Sequence, residues 1–558
     1  MVRQQAVSQY LIGVNNMGTK NLNSATDLIT FTRASGGTAL RKISYGSELV
    51  TNGTFDTDLS GWTANSFATL SLSSGSIRVE NNSNNLGLAI QEIDLEAGKT
   101  YHFSTNLIAI NDLLAQFTVN TSTNYSTNVA GLTNSSTTGT KTFNYTPSSS
   151  GTYYIILAHR GGNILGKYVE FDNVSVKEVL FDQADGTLQL WNHGNNVPRI
   201  EYDATGAVKG LLIEEARTNY YPTSTDTWTA YGNGTHVKTV DSSVVNPTGA
   251  YGSDKITHTN NFGYSYVGYH GTYATVGTRE TYSAYLKSAG HNHVRFRMSN
   301  MNGHVNYDFD LSNGNSSLPA IAINSGTTGH IEDVGNGWWR CSMTYTALSA
   351  NPYPSIFLMP SADNFDITQF QGDGTSGVYM WGHQIETGAF PTSYIPTTGS
   401  TATRAADFAQ IPTSAFGYNN DKGSLVIDVL TPVADQFMAL AHFNTSSYFN
   451  SRALWKGNNL LSGAGDYFFF QTYDGAVTNI VLGQQTQAGY TKLGLSYGDS
   501  ERAVKDGGTV ASGTSRYPSP TRLFLGGRDN GYQSQCWIKS IKYYPRSLTN
   551  TQLQELTT

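Results

Sequence analysis

GKYVEFDNVSVKEV, residues 166–179, alternates apolar and polar side chains along most of its length. Successive side chains on a strand point to opposite faces, so this pattern marks a half-buried β-strand. SGVYMWGHQIETGAF (376–390) closes a second stretch in the same way. Working back from each, one template recurs. ELVTNGTFDTDLSGWT (48–63) and ARTNYYPTSTDTWT (216–229) both carry an early Asn, a turn-rich run and a Trp-Thr pair. LAIQEIDLEAGKTYHF (88–103) and TRETYSAYL (278–286) both supply a mid-unit strand with Thr-Tyr. Short strands at regular spacing, parted by Gly, Asn and Asp turns, predict β-sandwiches.

Composition agrees with an all-β chain. Charged residues are 13%, aromatics 12%, and there are 57 Gly and 34 Tyr. That mixture suits strands and tight turns and disfavours long helices. At 558 residues the chain exceeds one hydrophobic core, so several domains are expected. The net charge of -7 forms no block and no basic stripe occurs, which argues against a nucleic-acid partner. No run approaches ~18 apolar residues, so no membrane span is expected. The opening MVRQQAVSQYLIGVNN lacks the apolar stretch of a signal peptide, which predicts synthesis in a cytoplasm. Cys341 and Cys536 lie far apart and are expected to be buried free thiols.

Three resemblances add to this. NGTFDTDLSGW and VEFDNVSV, within 47–180, resemble jelly-roll carbohydrate-binding modules. ITFTRAS (29–35), PRIEYDATGAVKGLLIEEARTN (198–219), VGNGWWRCSMTYTA (334–347) and HQIETGAFPTSYIPTTGSTATRAAD (383–407) resemble a domain of bacteriophage structural proteins. In that family the FTRAS and PRIEYD segments are closer in sequence, so 47–180 is expected to be an insertion. Segments 1–46 (anchoring) and 181–218 would then form one connecting element, followed by a second jelly-roll-like unit over 219–408. GSLVIDVLTP (423–432), TRLFLGGRDN (521–530) and CWIKSIKYYPRSLTNTQLQELTT (536–558) resemble the laminin-G/concanavalin-like lectin fold, over 409–558. Ser547 and Thr549 offer N-caps for a short terminal helix in which Leu553 and Leu556 share a face.

The sharpest catalytic candidate is EIDLE, where Glu92, Asp94 and Glu96 fall on one strand face. Retaining glucanases use this spacing, with carboxyls ~5 Å apart. The AGKTY turn that follows favours an ordinary strand end, with Ile90, Ile93 and Leu95 as its apolar residues. Glu214 and Glu215 are adjacent and point to opposite faces, which suggests a strand edge or an inter-chain pair with Arg217. His291 and His293 share a face but lack a third metal ligand. DNFDITQFQGDGTSG (363–377) offers Asp363, Asp366 and Asp373 to a structural calcium, against the simpler reading of an Asx-rich loop. GYSYVGYHGTY (263–273) places Tyr264, Tyr266 and His270 on one face as a glycan platform, with Tyr269 on the other; sandwich core or a subunit interface is the competing reading. Trp62, Trp228, Trp338, Trp339 and the Tyr467–Phe470 run are expected to pack, with one face of each adjacent pair meeting a neighbouring domain or chain.

The expectation from sequence is therefore a non-enzymatic phage virion protein, a tail or head fibre or a decoration protein. Its partners would be other virion proteins and host cell-surface glycans, met by a homo-oligomer, with a trimer favoured. It would need no cofactor beyond the candidate calcium. The alternatives are a glycan depolymerase using Glu92, Asp94 and Glu96, and a purely architectural cement protein.

Overall fold

The strand Tyr168–Phe181 buries Val169 and Phe171, then Val174 and Val176, so its apolar residues change phase midway. A β-bulge absorbs the change. The register against Tyr101–Ile110 shifts between Asp172 and Ser175, and Asn173 sits at φ 51°. One extra residue in a strand returns the next apolar pair to the buried face, and Asn tolerates the left-handed conformation it needs.

This computed structural model describes residues 29–558, apart from 112–113, 161–163, 226–228, 233–235, 270–274, 301–302, 318–325, 348–352, 361–368, 433–436, 446–449, 460–462, 486–488, 529–531 and 534. The described chain is all-β, with tandem sandwiches of antiparallel strands and a short C-terminal helix. In the first sandwich a seven-stranded sheet built around Tyr101–Ile110 and Tyr168–Phe181 faces a five-stranded sheet built around Leu88–Leu95 and Gly151–Arg160. Trp62, Phe103, Phe117, Ile155 and Phe171 fill the space between them. The second pairs two six-stranded sheets over Tyr282, Phe296, Met343, Ile356 and Met380. The third pairs two seven-stranded sheets over Ile427, Leu440, Phe468, Phe470 and Leu493.

The stretches expected to connect domains are themselves sheet strands. Gly37–Glu48 pairs with Thr187–His193, placing Leu40 opposite Leu190 on the first sandwich. Thr30–Thr32 pairs with Phe408–Pro412, and the hairpin Arg199–Tyr202/Val208–Ile213 pairs with Cys536–Tyr544. The third sandwich therefore does not begin at 409. Phe31, Ile200, Tyr202, Leu211 and Ile213 lie in its core. Burying each such side chain is worth about 1.5–3 kcal/mol, enough to draw distant strands onto its sheets.

Leu40 and Leu190 meet Tyr285, Trp338, Trp381 and Tyr394 in an apolar cluster joining the first and second units. Trp338 thus faces a neighbouring unit, while Trp339 packs on the second core. Phe468 and Phe470 point into the third core, and Phe469 packs against Trp455 on the opposite face. Trp62 is core; Trp228 lies outside the described residues. Cys341 and Cys536 are free and buried. The helix Asn550–Thr557 is capped by Thr549, whose hydroxyl accepts from Gln552 N while the Gln552 side chain accepts from Thr549 N.

Candidate functional site

The hairpin Arg199–Tyr202/Val208–Ile213 alternates in steps of two residues, with one β-bulge at Lys209 that turns this side chain away from the face of Leu211 and Ile213. Ile200, Tyr202, Leu211 and Ile213 face the third core, so Arg199, Glu201 and Lys209, with Glu214 just beyond, face the other way. That outward row meets the other two sandwiches.

At its centre Arg199 lies between two carboxylates. One Nη is 2.8 Å from Glu214 Oε2, and the other donates to Asp407. Asp407 also accepts from Arg33 Nη1 at 3.1 Å and from Glu214 N at 2.9 Å. Glu214 further accepts from Ser393 N and Oγ, both at 2.7 Å, and pairs with Arg404 Nε at 3.5 Å. The side chains of Arg33, Arg199, Glu214 and Asp407 are fully buried, and that of Arg404 is 1% exposed. Burial opposes ionisation of Glu214, but the Arg404 and Arg199 guanidiniums and the Ser393 hydrogen bonds outweigh it and hold its carboxyl at about 2. Burial and the neighbouring Arg199 lower Arg33, and three cations share two anions away from the protein surface. Removing one partner of such a group leaves an uncompensated buried charge, costing about 3–5 kcal/mol.

Beside this joint, Lys209 Nζ lies 2.9 Å from Glu332 Oε1 on the second sandwich and 4.2 Å from the Trp537 ring centroid on the third. Glu201 accepts from Trp537 Nε1 and, mainly through burial, is raised above the ordinary carboxyl range. The adjacent-carboxylate reading is corrected here. Glu214 is an interior anchor rather than an edge group, and Arg217 pairs with Glu215 of its own chain. Sequence alone missed this because Arg33 and Asp407 are 374 positions apart.

A second feature lies on the outward face of a six-stranded sheet of the second sandwich. Tyr266, Phe357, Arg295, Asp308 and Ser317 are successive cross-strand partners, so they share that face. Tyr266 stacks on Phe357 at 4.5 Å and 19°, Tyr264 lies 5.8 Å from Tyr266, and the Arg297 guanidinium lies 4.5 Å from the Phe357 centroid. Arg295 binds Asp308 through two hydrogen bonds of 2.6 and 2.8 Å. The row ends at a cavity of about 270 Å³ lined by His293, Asp308, Asp310, Asn313, Asn315 and Met359, among others. Tyr264 and Tyr266 therefore share an aromatic surface. Tyr269 packs against Tyr221 at 4.8 Å, and His270 lies outside the described residues. Phe357 and Arg297 escaped sequence reading because YPSIFLM and HVRFRMSN announce only strands, not which strands adjoin.

The other candidates are dispersed. Glu92 and Asp94 are exposed on Leu88–Leu95; Asp94 accepts from Thr152 Oγ1 at 2.8 Å, and Glu96 pairs with Lys99 at 2.9 Å. Asp373 accepts from Thr375 N and from Ser376 N and Oγ within its own turn. Asp363 and Asp366 lie outside the described residues. His291 stacks on Phe370 at 5.3 Å, and His293 is 3.8 Å from Asp310. Among the described residues no group of three or more His, Cys, Asp or Glu side chains could hold a metal.

No protein-family model matches the chain, and no curated protein matches its sequence. Among solved structures, the N-terminal CBM22-1-CBM22-2 tandem domain of Paenibacillus barcinonensis Xyn10C is 9% identical, with 62% of this chain and 98% of that one covered and a TM-score of 0.21. A Trypanosoma rangeli sialidase in complex with 2,3-difluorosialic acid is 10% identical, covering 88% and 83%, with a TM-score of 0.22. The same sialidase with 2,3-difluoro-KDN is 10% identical, covering 92% and 98%, with a TM-score of 0.23. Likenesses this slight assign neither ligand nor activity. The expectation of a non-enzymatic protein is nonetheless withdrawn, because it rested on the lack of a local catalytic motif. The physical reason is visible in the joint. Polar constellations here are assembled from residues hundreds of positions apart, so the lack of a local catalytic motif excludes nothing.

Proposed function

We propose that the chain is a structural and adhesive protein of a phage particle. Its sandwiches would be locked into one body, and the second would present its aromatic face to host-surface glycans. The observation that carries this reading is the buried ionic joint. Arg33 comes from FTRAS, Arg199 from PRIEYD, Glu214 from LLIEEARTN, and Arg404 and Asp407 from TATRAAD. The segments that resemble phage structural proteins are thus the ones that seat the sandwiches on each other. A rigid joint suits a part that must hold its shape on a particle. Half-buried Tyr264 and Tyr266 suit sugar rings, whose CH faces stack on aromatics, and Asn313 and Asn315 at the cavity where the row ends offer hydrogen-bonding groups to their hydroxyls.

Mass spectrometry of purified particles and a glycan array test the two halves. Presence in particles, with array binding reduced about tenfold or more by Tyr266→Ala, supports the reading. Absence from particles overturns the structural half. A blank array overturns the adhesive half and leaves an architectural protein.

A further inference from the structure

A second cavity, of about 560 Å³, lies where the strands Gly37–Glu48 and Thr187–His193 of the first unit meet the second sandwich. Its size falls within the range of small-molecule sites. Its walls come from both units: Thr38, Leu190 and Asn192 on one side, Asn246, Ser253 and Trp381 on the other. Trp381 is 5% exposed and packs 4.6 Å from Tyr394, which gives the cavity a rigid aromatic base. At its rim, Tyr251 and Val240 are 56% and 69% exposed.

Ser253 supplies an independent observation. It is 2% exposed and lines the cavity, yet its Oγ has no hydrogen-bond partner among the described residues. Leaving a buried hydroxyl unsatisfied is unfavourable, so a group entering the cavity with a donor or acceptor is favoured there. The lining offers no uncompensated charge. Its one charged side chain, Asp254, is held by Lys238 at 2.8 Å, leaving no lining cation for a phosphate, sulfate or sugar carboxylate. An aromatic base, amide and hydroxyl walls and no free charge are the recognition chemistry of an uncharged polyhydroxylated molecule.

We infer that this cleft is a binding site for a small neutral saccharide, of mono- to disaccharide size, distinct from the aromatic face of the second sandwich. It does not rest on the adhesive reading. Tyr266 is not among its lining residues, and the two sites fail separately.

The test is saturation-transfer NMR on the full chain with glucose, galactose, N-acetylglucosamine, maltose and cellobiose, with sialic acid as the charged control. At least one neutral sugar is expected to bind, and sialic acid not to. Asn192→Trp replaces an exposed cleft residue with a bulk that fills the cavity and is expected to weaken binding about tenfold or more, with an unchanged melting temperature. Ser253→Ala is expected to weaken it several-fold, and Tyr266→Ala to leave it unchanged. No transfer to any neutral sugar, or transfer equal in wild type and Asn192→Trp, overturns the proposal. So does a crystal soak showing only water against Ser253 Oγ.

Discussion

Glu214→Gln preserves the size of the side chain and removes its charge from a site with no exposed surface. The wild-type joint holds the cations Arg33, Arg199 and Arg404 against the anions Glu214 and Asp407. After substitution one carboxylate faces three guanidiniums, and the Arg199 and Arg404 contacts lose their charge. Breaking a buried ionic group from one side costs about 3–5 kcal/mol. For a sandwich-sized cooperative unit each kcal/mol moves the midpoint by about 2–4 °C, so a fall of roughly 10 °C is expected at pH 7. Differential scanning calorimetry reads it, and limited proteolysis between the sandwiches should rise in parallel. Adding Arg404→Met restores the original charge excess, so the double variant should recover part of the loss, with a coupling of about 1 kcal/mol or more. The pH dependence has a definite sign. Glu214 is held at about 2, below its ordinary 4.5. Its stabilisation is therefore complete above pH 4.5 and is lost as pH falls through about 2, so the gap between wild type and variant should narrow in that window. A midpoint shift under about 2 °C, or strictly additive single variants, would refute the reasoning.

Other consequences are equally open to measurement. Glu280 is 1% exposed and accepts from Tyr345 at 2.7 Å, and burial pushes its carboxyl up to about 7 from 4.5. Stability from the neutral form is full below pH 4.5 and is lost as pH rises through about 7, so Glu280→Gln should stabilise the protein by up to about 3 kcal/mol at pH 8 and little at pH 4 in calorimetry; an equal effect at both pH values is the contrary result. A fragment spanning only 409–558 lacks Phe31, Ile200, Leu211 and Ile213 from its core and should show poorly dispersed amide NMR signals, whereas a well-dispersed folded spectrum would contradict the shared sheet. Thr549→Ala removes the helix cap and should cost about 1 kcal/mol by urea titration, and no change would mean the capping box is not holding the helix.

Much of the local architecture was legible in the residues themselves. Alternation in GKYVEFDNVSVKEV gave the strand, and its phase change at Asn173 has a bulge as its counterpart. Burial of Cys341, Cys536 and Trp62, and the Thr549 cap, followed from residue type and spacing. So did the division of Phe468, Phe469 and Phe470 between two faces. In Arg199–Tyr202 the same rule sets Arg199 and Glu201 opposite Ile200 and Tyr202, because a two-residue period depends only on the pleat of one strand.

What it could not reveal is the surface that each face meets. Period two says which side chains share a face but not which sheet the strand joins, since backbone hydrogen bonds are indifferent to sequence separation. Thus Phe31 completes a core about 400 residues downstream, alongside Leu425 and Phe443. Arg33 and Asp407, and likewise Tyr266 and Phe357, acquire their roles only when strands close in space. Sequence determined the strands and their faces. Tertiary structure decided which buried charges would find their counter-ions, because only the closed sandwiches remove the water that would otherwise solvate them.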